Sequence, residues 1–216
     1  MTIYICGDST AASYTENETP FMGWGQALPA LLPGVKVDNQ ARAGRSSKSF
    51  LAEGRLQAIE PLLQPGDLLL IQFAHNDESN LVWRRTEPRG SFLNCLSLYV
   101  DTARLWGAVP VLLTPICVRT WLNGKLQPSH GEYPEAVRTL ARQRAVPLLD
   151  LYRESFRAVK ALGEEGSRAL YLHVAPGLYP ACPEGCADDT HTGKAGAEAF
   201  AKMVAEGLQA LHLIGG

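Results

Sequence analysis

Short apolar runs alternate along this chain with longer stretches in which apolar residues return every three or four positions, the pattern of repeated strand and helix units that build a parallel sheet. The runs at residues 2–6, 35–39, 67–73, 109–113 and 146–150 read as five strands. A helical period recurs at 24–32, 47–63, 91–106, 133–144, 151–162 and 193–211, enough helix to cover both faces of one sheet. Pro33-Gly34 and Pro65-Gly66 stand just before predicted strands, where they stop one element and turn the chain into the next. No repeat, linker or low-complexity tract divides the chain, so a single domain is expected over residues 1–216.

Four segments follow neither period: 7–23, 74–90, 114–131 and 173–190. The first three come directly after predicted strands. In an open parallel sheet such strand ends gather along one edge, where ligands bind, and loops this long in a compact domain are usually functional.

Composition narrows the partners. The chain is 46% hydrophobic and 19% charged, as in a globular protein, and no stretch approaches the roughly 18 apolar residues of a membrane span. Twenty basic residues against 22 acidic ones give a net charge of -2, and the Lys and Arg residues are dispersed, so neither a membrane nor a nucleic acid is an expected partner. Met1-Thr2-Ile3-Tyr4-Ile5-Cys6 lacks the basic segment and apolar core of a secretory signal, which reads as cytoplasmic. Five cysteines, an odd number without dense spacing, fit a reducing compartment. Cys182 and Cys186 form a CxxxC pair close to His173 and His191, but zinc sites favour CxxC spacing, so no metal is expected and a free pair is preferred over a loop disulfide.

Four groups of residues could carry chemistry. Ser9 follows the first strand through Gly7-Asp8, so its hydroxyl would emerge on a tight turn at the sheet edge; alone, the same three residues make an ordinary turn or helix cap. Asp188 and His191, three apart before the last helix, could supply the base that a serine hydroxyl needs and the carboxylate that orients that base; otherwise Asp188 would be a helix cap and His191 a surface residue. Asn76, in Ala74-His75-Asn76-Asp77 after the third strand, could donate to a developing oxyanion or close an Asx-turn. Gly44, after the second strand, would let a backbone N–H approach a substrate, or make a flexible turn or an anion-binding loop.

Taken in order, these pieces resemble the SGNH (GDSL-like) hydrolase superfamily, and their details are similar to its rhamnogalacturonan acetylesterase family. The resemblance rests on Gly7-Asp8-Ser9-Thr10-Ala11, Gly44-Arg45-Ser46-Ser47-Lys48-Ser49-Phe50, His75-Asn76-Asp77 and Asp188 to His191 followed by Ala195-Gly196-Ala197. It implies that Ser9 attacks an acetyl carbonyl, that His191 acts as base and then acid, and that Asp188 orients it. The N–H groups of Ser9 and Gly44 with the Asn76 amide would form the oxyanion hole. The expected fold is α/β, a three-layer flavodoxin-like arrangement on a five-stranded parallel sheet. One departure is Ala74, where the family has glycine; its methyl group should fit as pocket lining if the backbone is not at positive φ. Asp189 is expected to be a cap or solvent-facing, and Asp8 to hydrogen-bond within the turn that presents Ser9.

The implied activity is carbohydrate O-acetylesterase, acting on pectin- or hemicellulose-derived oligosaccharides without a cofactor. An SGNH lipase or thioesterase, or a non-catalytic flavodoxin-like binding module, are the alternatives. Trp24, Arg45, His75 and Trp121, with Trp83, Arg84 and Tyr179, are candidate sugar contacts. A homodimer is compatible with this composition.

Overall fold

Strands β1 (Thr2–Gly7) and β3 (Leu68–Gln72) are apolar at almost every position because both of their faces are covered, as in a sheet with helices on each side. In the computed structural model, which describes residues 1–215, they pair with β2 (Lys36–Asn39), β4 (Val109–Leu113) and β5 (Leu148–Leu149) in the order β2-β1-β3-β4-β5. Every pairing is parallel, which is the expected three-layer α/β architecture. The strand order reverses between β1 and β3, so the crevice beyond their carboxyl ends is where such a sheet collects a ligand.

Alternate side chains along each strand enter two separate cores. Ile3, Ile5, Leu68, Leu70, Val111 and Leu113 pack with Trp24, Phe200, Val204 and Leu208. Tyr4, Cys6, Leu69, Ile71 and Leu112 pack on the other face with Phe50, Phe92, Tyr99, Val137 and Leu140. The first layer contains α1 (Trp24–Ala27), α6 (Leu151–Gly166) and α7 (Lys194–Ala210); the second contains α2 (Ser47–Ala52), α3 (Arg55–Ile59), α4 (Ser91–Leu105) and α5 (Tyr133–Arg144). Pro110 sits inside β4 without breaking it. Val109 donates to Asp67 O of the β3 side, whereas Leu112 donates to Pro147 O of the β5 side, so the N–H that Pro110 lacks would point where β5 has not yet begun.

The helical pattern at 24–32 and 47–63 is interrupted. Leu28–Leu31 tightens into a 3₁₀ turn containing Pro29, and Gly54, at φ +70°, separates α2 from α3, which ends in a 3₁₀ turn containing Pro61. The strand expected at 146–150 shortens to Leu148–Leu149, and α6 kinks at Gly163, where the helical pattern stops. Two antiparallel hairpins lie within segments that showed no period: Trp121–Leu122 with Lys125–Leu126, and β6 (Leu172–Val174) with β7 (Cys186–Asp188). Among the described residues no helix is long and apolar enough to cross a membrane.

Helix α7 carries the loop before it to the sheet edge, and it does so by close approach at Gly196. A Cβ there would lie 1.8 Å from the Leu170 carbonyl oxygen, inside any tolerable contact. Gly196→Ala should therefore destabilise the fold by roughly 2–3 kcal/mol, the upper range for overpacking, measured as a lowered midpoint in thermal or denaturant unfolding. An unchanged midpoint would mean that α7 can move away from Leu170 at little cost.

Candidate active site

Ser9 leaves β1 on a turn built by Asp8, a carboxylate with no solvent exposure. Asp8 Oδ1 accepts from the Thr10 amide (3.0 Å) and hydroxyl (2.8 Å), as the turn requires, and Oδ2 lies 3.1 Å from His75 Nδ1 after β3. Burial opposes ionisation of Asp8, but the His75 charge and the hydrogen bonds from His75 and Thr10 outweigh it and hold its carboxyl below the usual range. Burial likewise lowers His75, yet Asp8 and then Glu78 raise it further, so Asp8 and His75 each favour the other's charged form. Gln72, the last residue of β3, donates to Thr10 Oγ1 at 2.9 Å and accepts from Trp24 Nε1. The Tyr14 hydroxyl donates to the Ser9 carbonyl at 2.9 Å.

The histidine loop meets this turn from the other end of the chain. Ser9 Oγ lies 3.0 Å from His191 Nε2, and His191 Nδ1 lies 2.7 Å from Asp188 Oδ2. Asp188 is the final residue of β7, and its other oxygen accepts from the Thr190 and His191 amides at 2.8 and 2.9 Å. Burial opposes ionisation of Asp188; hydrogen bonds from the His191 ring and from these two amides prevail and keep its carboxyl far below the usual range. The loop is tied to the Ser9 side by Met22 N donating to Thr192 O at 2.9 Å and by Thr192 Oγ1 donating to Met22 O. A proton can thus pass from the Ser9 hydroxyl to an imidazole whose cation faces a carboxylate, as nucleophilic attack by serine requires.

Gly44 is at φ +78° with open space where a side chain would be, so its N–H can meet a ligand directly. Among the described residues, the Ser9 and Gly44 amides donate to no protein acceptor. Asn76 lies against the residue after Gly44: its Nδ2 donates to the Arg45 carbonyl at 3.1 Å, leaving a second N–H free, and its Oδ1 accepts from Arg84 Nη1 at 3.0 Å. Asp77 anchors this segment on α2. Its carboxylate accepts from the Ser47 amide and hydroxyl and from the Thr86 hydroxyl, and burial pushes its pKa up to about 6 despite these bonds. Ser46 caps α2 reciprocally with Ser49, which holds the stretch after Gly44 in place.

Several expected sugar contacts lie elsewhere. Trp24 has no exposed surface and packs in the core, because its indole N–H is satisfied by Gln72. His75 is engaged by Asp8 beneath the site, with only 7% of its side chain exposed. Arg45 pairs with Glu53 at 3.0 Å, and Trp121 lines a cavity with Phe156 and Lys160 that contains none of Ser9, Asp188 and His191. Trp83 is 52% exposed, with the Arg84 guanidinium 5.3 Å from its ring centroid, and Tyr179 bridges Cys182. Asp189 is not a cap, since α7 is preceded by Gly193 without one; its side chain does face solvent, 41% exposed, while accepting from buried Arg119 and from His173, both at 2.8 Å. All five cysteines, Cys182 and Cys186 included, are free thiols.

The wall beside His191 was not singled out from sequence. Phe21 meets the imidazole edge-on at 5.8 Å, and with Tyr14, Asn17, Glu18, Ala43 and Ala181 it lines a cavity of about 300 Å³ that includes His191. Both aromatic residues belong to the 7–23 segment, whose length after β1 was the signal available.

Ala74 breaks the condition set for it. Its φ is +151°, a region that favours glycine, and its methyl is fully buried among Phe50, Phe73 and Tyr99, so it lines the core and not the pocket. Such a backbone costs about 1–3 kcal/mol, while a glycine there forfeits about 0.8 kcal/mol of methyl burial and roughly 0.5–1 kcal/mol in chain entropy. These terms nearly cancel. Ala74→Gly should leave unfolding free energy within about 1 kcal/mol of the parent, whereas Ala74→Val, β-branched at this φ, should lose more than about 2 kcal/mol in denaturant titrations.

Comparison with known proteins agrees with this geometry. The family model described as the GDSL-like Lipase/Acylhydrolase family matches residues 5–199. The chain is 41% identical over 213 residues to the rhamnogalacturonan acetylesterase RhgT of Bacillus subtilis, covering 98% of this chain and 90% of that protein. It is 38% identical, over 98% of its own length and 94% of the relative, to the probable rhamnogalacturonan acetylesterase YesY of the same organism. A crystal structure of the Bacillus subtilis protein YxiM superposes with a TM-score of 0.82 at 27% identity, covering all of this chain but 58% of that one. With four motif blocks brought to one sheet edge and a family match over most of its length, the chain belongs to the GDSL-like lipase/acylhydrolase family.

Proposed function

We propose that this chain is a carbohydrate O-acetylesterase that removes acetyl groups from pectin- or hemicellulose-derived oligosaccharides. The observation that carries the reading is the unbroken contact from Ser9 through His191 to Asp188. Ser9 Oγ attacks the acetyl carbonyl as His191 Nε2 takes its proton, and Asp188 holds the imidazole tautomer and the cation that forms. The oxyanion is received by the unpaired amides of Ser9 and Gly44 and by the free Asn76 N–H. His191 then protonates the departing sugar oxygen, releasing it as a hydroxyl, and water, deprotonated by the same imidazole, hydrolyses the acetyl-enzyme to acetate.

The substrate class is supported by the likeness to two proteins named as rhamnogalacturonan acetylesterases over nearly the whole chain. A lipase or thioesterase reading fits less well, because the relatives that the chain resembles over nearly its whole length are named as rhamnogalacturonan acetylesterases. A non-catalytic binding module would leave the Ser9–His191–Asp188 contact without a purpose. Free thiols throughout support a reducing compartment, so we place the enzyme in the cytoplasm. The two cores on opposite faces of one five-stranded sheet support its action as a single domain.

Acetate release from acetylated pectin, xylan and mannan oligosaccharides tests the substrate class, and a p-nitrophenyl ester series tests the acyl group. A preference for octanoate over acetate would overturn the acetylesterase reading. Ser9→Ala and His191→Ala should each remove nearly all turnover in a fold of parental stability. Asp188→Asn should lower kcat by about 10⁴, the cost of a misoriented tautomer. Near-parental turnover in His191→Ala would refute the assigned base.

A further inference from the structure

We propose that Arg84 is a positioning residue that fixes the orientation of the Asn76 amide, so that its N–H and not its carbonyl faces the oxyanion. The inference rests on the oxyanion role proposed above for Asn76. An asparagine amide has two ends of nearly equal shape and opposite polarity, so its direction is set by its partners alone. Here both partners are unambiguous. The Arg45 carbonyl can only accept, and it takes one hydrogen of Asn76 Nδ2. Arg84 can only donate, and its Nη1 points at Asn76 Oδ1 at 3.0 Å. Reversing the amide would set oxygen against oxygen at Arg45, donor against donor at Arg84, and a carbonyl dipole against the developing negative charge.

The guanidinium has no carboxylate partner among the described residues; it lies over the Trp83 ring and donates to Asn76. The adjacent Arg85 pairs with Glu87 at 3.1 Å, but Arg84 gives its charge to a neutral amide oxygen, with its Nε buried and unpartnered. A cation that donates to Oδ1 draws electron density through the amide and strengthens the opposite N–H as a donor. Its delivery is also built in. Thr86 closes the segment onto Asp77 through its amide (2.9 Å) and hydroxyl (3.0 Å), so Arg84 stands two residues from a fixed point and faces the residue just before Asp77.

A double-mutant cycle on p-nitrophenyl acetate, which has no charge for Arg84 to bind, tests the proposal. Arg84→Ala should lower kcat by about tenfold with KM changed less than about threefold, and Arg84→Lys should recover part of the loss, as for an interaction made in the transition state. In an Asn76→Ala background, itself slower by roughly 10²–10³-fold, Arg84→Ala should cost less than about twofold, because the amide it orients is gone. An equal fold-loss in both backgrounds, or a loss confined to KM, would overturn the role. If Arg84→Ala proves too unstable to assay, Arg84→Lys against Arg84→Gln in the two backgrounds makes the same comparison. A parental rate in Asn76→Ala alone would instead remove the oxyanion assignment beneath it.

Discussion

The carboxylate of Asp8 is sealed from solvent, and a buried charge of this kind is tolerated only when every lone pair is met. Meeting them is what assembles the site. One oxygen is taken up by Thr10, which bends the chain sharply after β1 and turns out Ser9; the other is matched by His75, which draws the end of β3 beneath the same turn. Gln72 and Trp24 extend the web into α1, so one charge couples two central strands and a helix. A neutral residue at Asp8 would remove the partner that most favours the charged form of His75 and leave burial to oppose it.

Two further carboxylates do comparable work in different electrostatic settings. Asp77 is buried among hydroxyls and an amide with no cation beside it, so its ionised form is disfavoured even though it joins α2 to the asparagine segment. Asp188 has amide donors and an imidazole, and is strongly ionised. The contrast suits the proposed roles: a tether needs acceptors, whereas the proposed partner of a transient imidazolium must carry its charge throughout. Asp189 meets buried Arg119 and His173 and thereby stiffens the hairpin that ends in Asp188.

Much of this was legible in the chain. Five strands and the edge at which they deliver Ser9, Gly44 and Asn76 follow from apolar runs that end in long loops, because burial on both faces leaves a continuous apolar signature. The break in the segment 47–63 was less visible, since apolar periodicity continues past Gly54 while the backbone turns left-handed there. Trp24 was misplaced for a related reason: an aromatic residue beside a loop looks the same whether its indole faces a sugar or Gln72. Tyr14 and Phe21 could not be placed beside His191 because that contact depends on how the 7–23 segment folds back, and no local pattern encodes it. Ala74 shows the limit most plainly: a one-methyl departure depends on a dihedral angle that only the folded chain reveals.

Ser9 and His191, the proposed nucleophile and its base, are 182 positions apart, one entering with β1 and the other just ahead of α7. Their meeting depends on α7 docking against α1 and on the Met22–Thr192 pairing, whose partners are 170 positions apart. Such contacts carry a large closure entropy and form only with the rest of the sheet in place. A chain emerging from the ribosome would therefore hold this hydroxyl inert until the histidine loop and α7 had been made and docked, so hydrolytic power would also report that folding has brought Ser9 and His191 together.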